Sequence, residues 1–132
     1  MFHTLTVRTG RHTELLDLTG QIQDKVRESG VKEGLCLVFV PHTTAAVTIN
    51  ENADPAVRAD ILMVMNKVIS DDEPYRHREG NSPGHIKSSL FGPQLTVIIS
   101  EGRLVLGTWQ GIYFCEFDGP RTRRLHLKIV AG

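Results

Sequence analysis

The stretch Leu95-Thr96-Val97-Ile98-Ile99-Ser100-Glu101-Gly102-Arg103-Leu104-Val105-Leu106 decides the class of fold. Its two apolar runs flank Glu101-Gly102, a dipeptide suited to a tight turn between antiparallel strands. A long strand is expected next over 108–117, and a further strand with alternating apolar residues over 124–130. The last third of the chain is therefore predicted to be antiparallel β-structure.

The first thirty residues predict two strands and a helix. Apolar and polar residues alternate over 2–9, which is typical of a half-buried strand, and 13–17 is expected to pair back on it as a short second strand. Thr19 is a candidate N-cap for a helix that Gly30 would end. The helix would direct Ile22 and Val26 to one face.

The middle of the chain predicts two more strands and two helices. Leu35–Val40 is a continuous apolar run, which indicates a strand buried on both faces, and 45–49 should form another strand. Asp54-Pro55 combines an N-cap acceptor with proline at the first helical position, and the helix should run to about Ile69. Residues 86–91 predict one or two helical turns. Helices early and strands late indicate a single α+β domain over 1–132, a largely antiparallel, β-sandwich-like sheet with two or three helices.

Composition excludes several classes of protein. Lys+Arg and Asp+Glu both number 15, so no net charge attracts nucleic acid or an anionic membrane, although Arg121, Arg123 and Arg124 form a small basic patch. No apolar run approaches the roughly 20 residues of a membrane-spanning helix, and the N-terminus lacks signal-peptide features. Cys36 and Cys115 lie in apolar runs and should be reduced and buried. We expect a cytoplasmic protein that binds neither nucleic acid nor membrane.

Three histidines are the strongest candidates for chemistry. His42 follows the predicted strand at 35–40, and His77 and His85 bracket a segment rich in glycine and proline. Three imidazoles plus an open position are the ligand set of a catalytic zinc site. The glycine and proline between His77 and His85 argue against a continuous helix and for a folded-back loop. The alternative is that each histidine is a surface bystander, since the chain has six.

Two further segments carry carboxylates. Glu51 or Asp54 could orient a ligating histidine or act as a general acid or base, but Asp54 has an alternative role as a helix cap. On the strand over 108–117, Glu116 shares a face with apolar residues, so its charge needs a partner. That partner could be Arg121 or Arg123, or Glu116 could be a site carboxylate with Arg121 holding a phosphate. Cys115, in mid-strand without a neighbouring histidine, suits the core better than nucleophilic catalysis.

Other catalytic motifs are missing from the sequence. No glycine-rich loop follows a strand and opens a helix, which argues against a Walker or Rossmann nucleotide site. Ser88-Ser89 lacks the context of a nucleophile elbow, so a serine hydrolase is a poor interpretation.

Several motifs, in order along the whole chain, resemble the YjbQ-like family. They are Pro41-His42-Thr43-Thr44-Ala45, Ile49-Asn50-Glu51-Asn52-Ala53-Asp54-Pro55, the loop with His77, Glu79, Gly80, Asn81, His85 and Ser88-Ser89, and Leu106-Gly107-Thr108-Trp109-Gln110-Gly111 through Glu116 to Asp118-Gly119-Pro120-Arg121. The resemblance implies a small α+β domain that assembles as a homotrimer. It also implies the activity described for this family, a secondary thiamine-phosphate synthase that joins a pyrimidine diphosphate to a thiazole phosphate.

The resemblance also sharpens the expected site. It implies a divalent metal such as zinc on His42, His77 and His85, and a small phosphorylated substrate. Glu51 and Glu116 are the candidates for acid–base or supporting roles. The predicted substrate-binding residues are Thr43, Thr44, Asn50, Asn81, Gln110 and Arg121. The alternatives are a metal- or phosphate-binding module whose synthase activity is incidental, and a metal-dependent hydrolase that uses the same histidines.

Overall fold

The computed structural model describes all 132 residues and contains eight strands and three helices. In chain order these are β1 (Phe2–Arg8), β2 (Glu14–Asp17), α1 (Thr19–Ser29), β3 (Gly34–Phe39), β4 (Ala45–Glu51), α2 (Pro55–Val68), α3 (Ser82–Phe91), β5 (Gln94–Ser100), β6 (Arg103–Leu104), β7 (Gln110–Glu116) and β8 (Thr122–Ala131). Every strand pairing is antiparallel. The predicted α+β class and its sandwich-like sheets are confirmed.

The strands form two sheets that pack face to face. One sheet has the order β1-β8-β3-β5-β6, and the other has the order β2-β7-β4. Between them lies the main core, to which α1 adds Ile22 and Val26, both 0% exposed. Alternation along β7 places Phe114 in this core and Tyr113 on the opposite face.

The outer face of the three-stranded sheet is covered by helices. Tyr113, Cys115 and Phe117 form a second cluster there, against which α2 and α3 pack Leu62 and Phe91. The molecule therefore has three layers: the five-stranded sheet, the three-stranded sheet, and the pair α2 and α3. Nothing in the chain covers the outer face of the five-stranded sheet.

That open face corrects the prediction for Leu35–Val40. Cys36 and Val38 face the core and are 0% exposed, but Leu35, Leu37 and Phe39 on the other face are 36–44% exposed. A continuous apolar run normally indicates burial on both faces. Here the second apolar face is directed outward, where only another molecule could cover it.

Two early elements also differ from their predictions. The segment at 14–17 is a strand, but it pairs with β7 in the other sheet rather than with β1. Thr19 is the first residue of α1, not its N-cap, which is Leu18. The Thr19 hydroxyl donates to the Asp17 carboxylate and accepts from the Ile112 N–H, so it ties the start of α1 to β7.

Later elements largely match their predictions. The Asp54 side chain accepts a hydrogen bond from the Ala56 N–H at 2.9 Å, as expected of the cap of α2. Glu101 and Gly102 have φ of 53° and 76°, the positive values that a tight hairpin turn needs. The strand after this turn ends at Leu104 rather than Leu106, and β7 is shorter than predicted, at 110–116.

The helix that follows the glycine-rich loop is longer than expected. It begins at Ser82, so Pro83 and Gly84 lie in its first turn, where proline is tolerated because it needs no N–H partner there. The prediction of a folded-back loop up to His85 is therefore wrong, and His85 projects from a helix. Gly84 is required by packing: a Cβ at this position would lie 2.8 Å from the Phe117 carbonyl oxygen.

Candidate functional site

A small pocket forms between the connection from β3 to β4, the start of β4 and one face of α3. Its volume is about 310 Å³. It is lined by His42, Thr43, Ala45, His85, Ser88, Ser89 and Pro93. We call it the histidine pocket, and two of the three predicted metal ligands lie in it.

His42 is fixed by the backbone of β8. Its Nε2 accepts the N–H of Arg124 at 2.9 Å, so the neutral ring carries its proton on Nδ1. Burial and the positive charge of Arg123 lower the pKa of His42, although the negative charge of Glu116 acts in the opposite direction. The structure therefore favours a neutral imidazole that presents Nδ1–H as a donor.

His85, Ser88 and Ser89 share one face of α3, since three and four residues make about one helical turn. The Ser88 hydroxyl donates to the Thr43 carbonyl at 2.6 Å and ties α3 to the start of β4. The Ser89 hydroxyl donates to the His85 carbonyl. Sequence reasoning missed the two serines as lining residues because it started this helix four positions too late, which hid the spacing.

The third histidine contacts His85 but does not complete a metal centre. The rings of His77 and His85 meet edge to face, with centroids 5.3 Å apart, and Nε2 of His77 lies 3.8 Å from a carboxylate oxygen of Glu79. Nε2 of His42 is occupied by the Arg124 N–H. No three or more His, Cys, Asp or Glu side chains are grouped so as to hold a metal ion. The residues as placed in one chain therefore do not fit the expected three-histidine site.

Glu116 is wholly buried and fully hydrogen-bonded. Its carboxylate accepts from Nε and Nη2 of Arg123, from the Thr9 hydroxyl at 2.7 Å and from the Asp118 N–H at 3.0 Å. Burial alone would raise the pKa of Glu116, but these hydrogen bonds outweigh it and hold the pKa below its usual range. Of the two roles that the sequence left open, the structure shows the pairing with an arginine, which is Arg123.

Three other predicted site residues, Thr44, Arg121 and Asn81, form hydrogen bonds close to Glu116. Thr44 is buried, and its hydroxyl accepts from Arg123 at 2.9 Å. Arg121 and Asn81 both donate to the Asp118 carboxylate at 2.9 Å. Burial would raise the pKa of Asp118, but these two donors hold it below the usual value. Oδ1 of the Asn81 side chain is buried without a hydrogen-bond partner, and Asn81 directly precedes the first residue of α3.

The remaining predicted residues lie at the other end of β4 and β7. The register pairs Ala45 with Glu116 and Glu51 with Gln110. Seven paired residues at about 3.3 Å each separate these ends by about 20 Å. Asn50, Glu51 and Gln110 are therefore not part of the histidine pocket of the same chain.

The side chains of Asn50 and Gln110 form hydrogen bonds with backbone groups close to them in the sequence. The Asn50 side chain accepts from the Glu51 N–H, and the Gln110 side chain accepts from the Gly107 N–H. The Glu51 carboxylate forms no ion pair, and its backbone carbonyl accepts from the Tyr113 hydroxyl at 2.9 Å.

Comparison with known proteins finds relatives over the whole chain. The curated protein UPF0047 protein YugU of Bacillus subtilis is 48% identical over 98% of this chain and 99% of its own length. A UPF0047 protein of Methanocaldococcus jannaschii is also 48% identical, over 98% of this chain and 94% of its own length. None of the helices is long and apolar enough to cross a membrane.

Solved structures show the same fold. An uncharacterised YjbQ/UPF0047 protein of Clostridium acetobutylicum superposes with a TM-score of 0.95 at 50% identity, over 97% of this chain and 99% of that one. A protein of unknown function from Sulfolobus solfataricus gives 0.96 at 35% identity, over 100% and 97%. The family model described as UPF0047 protein YjbQ-like matches residues 3–132, and the chain belongs to this family.

Proposed function

We propose that the chain is an enzyme that acts on a phosphorylated heterocycle, with the histidine pocket as its active site. The observation that carries this proposal is the fixed state of His42, whose Nε2 is bound to the Arg124 N–H while Nδ1 is left as a donor. A neutral imidazole held in one tautomer can donate to a phosphate oxygen or to a leaving group. His85 lines the same pocket and supplies a second imidazole.

The pocket suits one phosphorylated ring. At about 310 Å³ it is at the small end of the range for ligand sites. The Thr43 hydroxyl has no hydrogen-bond partner in the chain and can donate to a phosphate oxygen beside the two imidazoles. The Ser88 and Ser89 hydroxyls already donate to the Thr43 and His85 carbonyls, so they shape the pocket wall. A second substrate would then bind at the open side of the pocket.

The reaction we propose is the one implied by the family resemblance. A thiazole ring nitrogen forms a bond to the pyrimidine-bearing carbon, and diphosphate leaves with the electron pair of the broken C–O bond. His42 Nδ1–H would stabilise the charge that develops on the departing diphosphate, because a preorganised donor is worth most where charge develops. No residue has to remove a proton in the bond-forming step.

The test is a synthase assay with the pyrimidine diphosphate and thiazole phosphate. We expect His85→Ala and His42→Ala each to lower kcat/KM at least about a hundredfold, the low end of acid–base contributions. His12→Ala, outside the pocket, is the matched control and should leave kcat/KM unchanged. Equal rates for His85→Ala and the parent protein would refute the proposal.

The same assay separates the alternatives. Release of phosphate from either substrate alone, lost in His85→Ala, would indicate a hydrolase. Tight binding of the phosphorylated substrates without any turnover would indicate a binding module.

A cytoplasmic location stays a prediction, supported by the two free, buried cysteines.

A divalent metal such as zinc also stays a prediction, and no step above depends on it. Elemental analysis of the purified protein, before and after His77→Ala, would test it. If a metal is bound by His42, His77 and His85, then replacement of any one of them by alanine should remove it. A stoichiometric metal that persists in all three variants would exclude the three-histidine site.

We further propose that the chain assembles as a homotrimer through the outer face of the five-stranded sheet. This face exposes the apolar side chains Leu35, Leu37, Phe39, Ile98 and Val130. Contiguous exposed apolar surface of this kind usually marks an interface. Light scattering should give three times the 14.7 kDa of one chain, and Ile98→Asp should give 14.7 kDa. A parent protein that is monomeric at micromolar concentration would overturn this.

A further inference from the structure

A second and larger cavity lies between α1 and the β5–β6 hairpin. Its volume is about 680 Å³, roughly twice that of the histidine pocket. One wall is the face of α1 that carries Gln23 and Arg27, and the other is the hairpin at 101–104. We call it the α1 groove. None of the candidate site residues lines it.

The floor of the α1 groove is apolar and closely packed. Val26 is 0% exposed and Leu104 is 9% exposed, and both belong to the main core. The other two apolar residues that line the groove are Val31 and Leu106, which pack against that core. Since Val26 has no exposed surface, a planar body placed in the groove would contact the partly exposed side chains Val31 and Leu106.

The Gln23 side chain links the two walls and fixes the distance between them. Its side-chain Nε2 donates to the Gly102 carbonyl at 3.1 Å, and its Oε1 accepts from the Leu104 N–H at 2.9 Å. On the opposite side the Gly102 N–H donates to the Lys32 carbonyl at 3.0 Å. The groove is thus preformed, which lowers the entropy lost when a ligand binds.

The rim of the groove carries an excess of positive charge. Arg27, Lys32 and Arg103 line it, against Glu101 as the one acidic lining residue. Neither Lys32 nor Arg103 forms an ion pair, whereas Arg27 pairs with Asp24 at 2.8 Å. In a chain whose formal net charge is zero, two unpaired cations at one cavity favour an anionic ligand.

We propose that the α1 groove is a second ligand site, for a small phosphorylated molecule with a planar aromatic body. The body would lie on the half-buried side chains Val31 and Leu106, and the phosphate would be bound by Lys32 and Arg103. This site is separate from the histidine pocket. Pro93 of the pocket precedes β5 and Glu101 of the groove follows it, so the extended strand separates them by about 26 Å.

The test follows backbone and side-chain amide signals by NMR during titration with two probes, AMP and inorganic phosphate. AMP should shift Gly102, Leu104 and the Gln23 side-chain amide, and inorganic phosphate should shift them only at higher concentration because it lacks the planar aromatic body. The double variant Lys32→Ala/Arg103→Ala should weaken AMP binding at least about tenfold, since it removes both charge-assisted donors to the phosphate.

The matched control is Lys25→Ala, which removes a cation of α1 that pairs with Glu28 and does not line the groove. It should leave AMP binding unchanged. The inference is overturned if AMP shifts only signals of the histidine pocket, such as Ala45 and Ser88, or if Lys25→Ala weakens AMP binding as much as the double variant does. Unperturbed amide spectra of the free variants would show that both are folded.

Discussion

Glu116 and Arg123 form an ion pair between the two sheets, with side chains only 0% and 5% exposed. Glu116 projects from β7 and Arg123 from β8, so the pair joins the sheets at the edge of the main core. The Thr9 hydroxyl donates to the Glu116 carboxylate, and the Thr44 hydroxyl accepts from the Arg123 guanidinium. The network fixes the strand ends around the histidine pocket, and we assign Glu116 a supporting rather than an acid–base role.

Breaking this pair should be strongly destabilising. Glu116→Gln leaves the Arg123 charge buried without a counter-ion, and we expect a loss of about 3–5 kcal/mol in the free energy of unfolding. Urea unfolding at fixed protein concentration measures it. Asp24→Asn breaks the exposed pair with Arg27, whose side chains are 62% and 68% exposed, and should change the free energy by less than about 1 kcal/mol. Equal stability of Glu116→Gln and the parent would contradict this role.

The same carboxylates predict acid sensitivity. The pKa values of Glu116 and Asp118 are both lowered in the folded chain. Unfolded carboxyl groups bind protons near pH 4, whereas these two stay ionised when folded. Their contribution is therefore complete above about pH 4 and is lost as the pH falls through the lower folded values. Urea midpoints between pH 6 and pH 3 should fall, and should fall less in Glu116→Gln; a flat profile for the parent would refute the linkage.

His42 should titrate below its ordinary range. Burial and the charge of Arg123 lower its pKa, and a proton on Nε2 would break the bond from the Arg124 N–H. Because the folded pKa is lowered, the stabilising effect of neutral His42 is complete above about pH 6.5 and is lost as the pH falls through the folded pKa. NMR of the imidazole nitrogens should show the Nδ1–H tautomer. A His42 pKa above 6.5 or an Nε2–H tautomer would contradict the geometry.

Gly84 should resist replacement because α3 packs closely at this point. A Cβ there would lie 2.8 Å from the Phe117 carbonyl oxygen and 3.3 Å from the Thr44 side chain. Gly84→Ala should therefore cost about 1–3 kcal/mol of unfolding free energy and move α3, with His85, away from β4.

Gly20→Ala provides the comparison for that prediction. Gly20 lies in α1, and a Cβ there meets nothing within 4 Å. This variant should be neutral or up to about 1 kcal/mol more stable, since alanine favours helices. Thermal unfolding of both variants measures the difference. A Gly84→Ala protein as stable as Gly20→Ala would show that the close approach of α3 is not required.

Local patterns carried most of the prediction of elements. The cap at Asp54-Pro55, the turn at Glu101-Gly102 and the alternation along β7 each depend on neighbouring residues, and all three are present as expected. The errors lie where a local rule had two outcomes. A proline can end a helix or begin one, so Pro83 concealed the first turn of α3. An apolar strand can be covered by its own chain or by another.

The structure brings only some of the predicted site residues together. His42 and His85 line one pocket, and the ring of His77 contacts that of His85. Glu51 lies at the far end of β4, away from these histidines in the same chain. Closeness in sequence to His42 suggested closeness in space, but an extended strand moves its ends about 20 Å apart.

By itself the sequence determined the types of element, the apolar faces and the residues able to do chemistry, because these depend on side-chain character and short-range backbone preference. Only the tertiary structure decided that β2 pairs with β7, that Arg123 rather than Arg121 neutralises Glu116, and that the Arg124 N–H binds His42. The physical reason is that strands pair through backbone hydrogen bonds, which are the same for every residue. The choice of partner is made by the burial of whole faces, and it sets which strand ends meet.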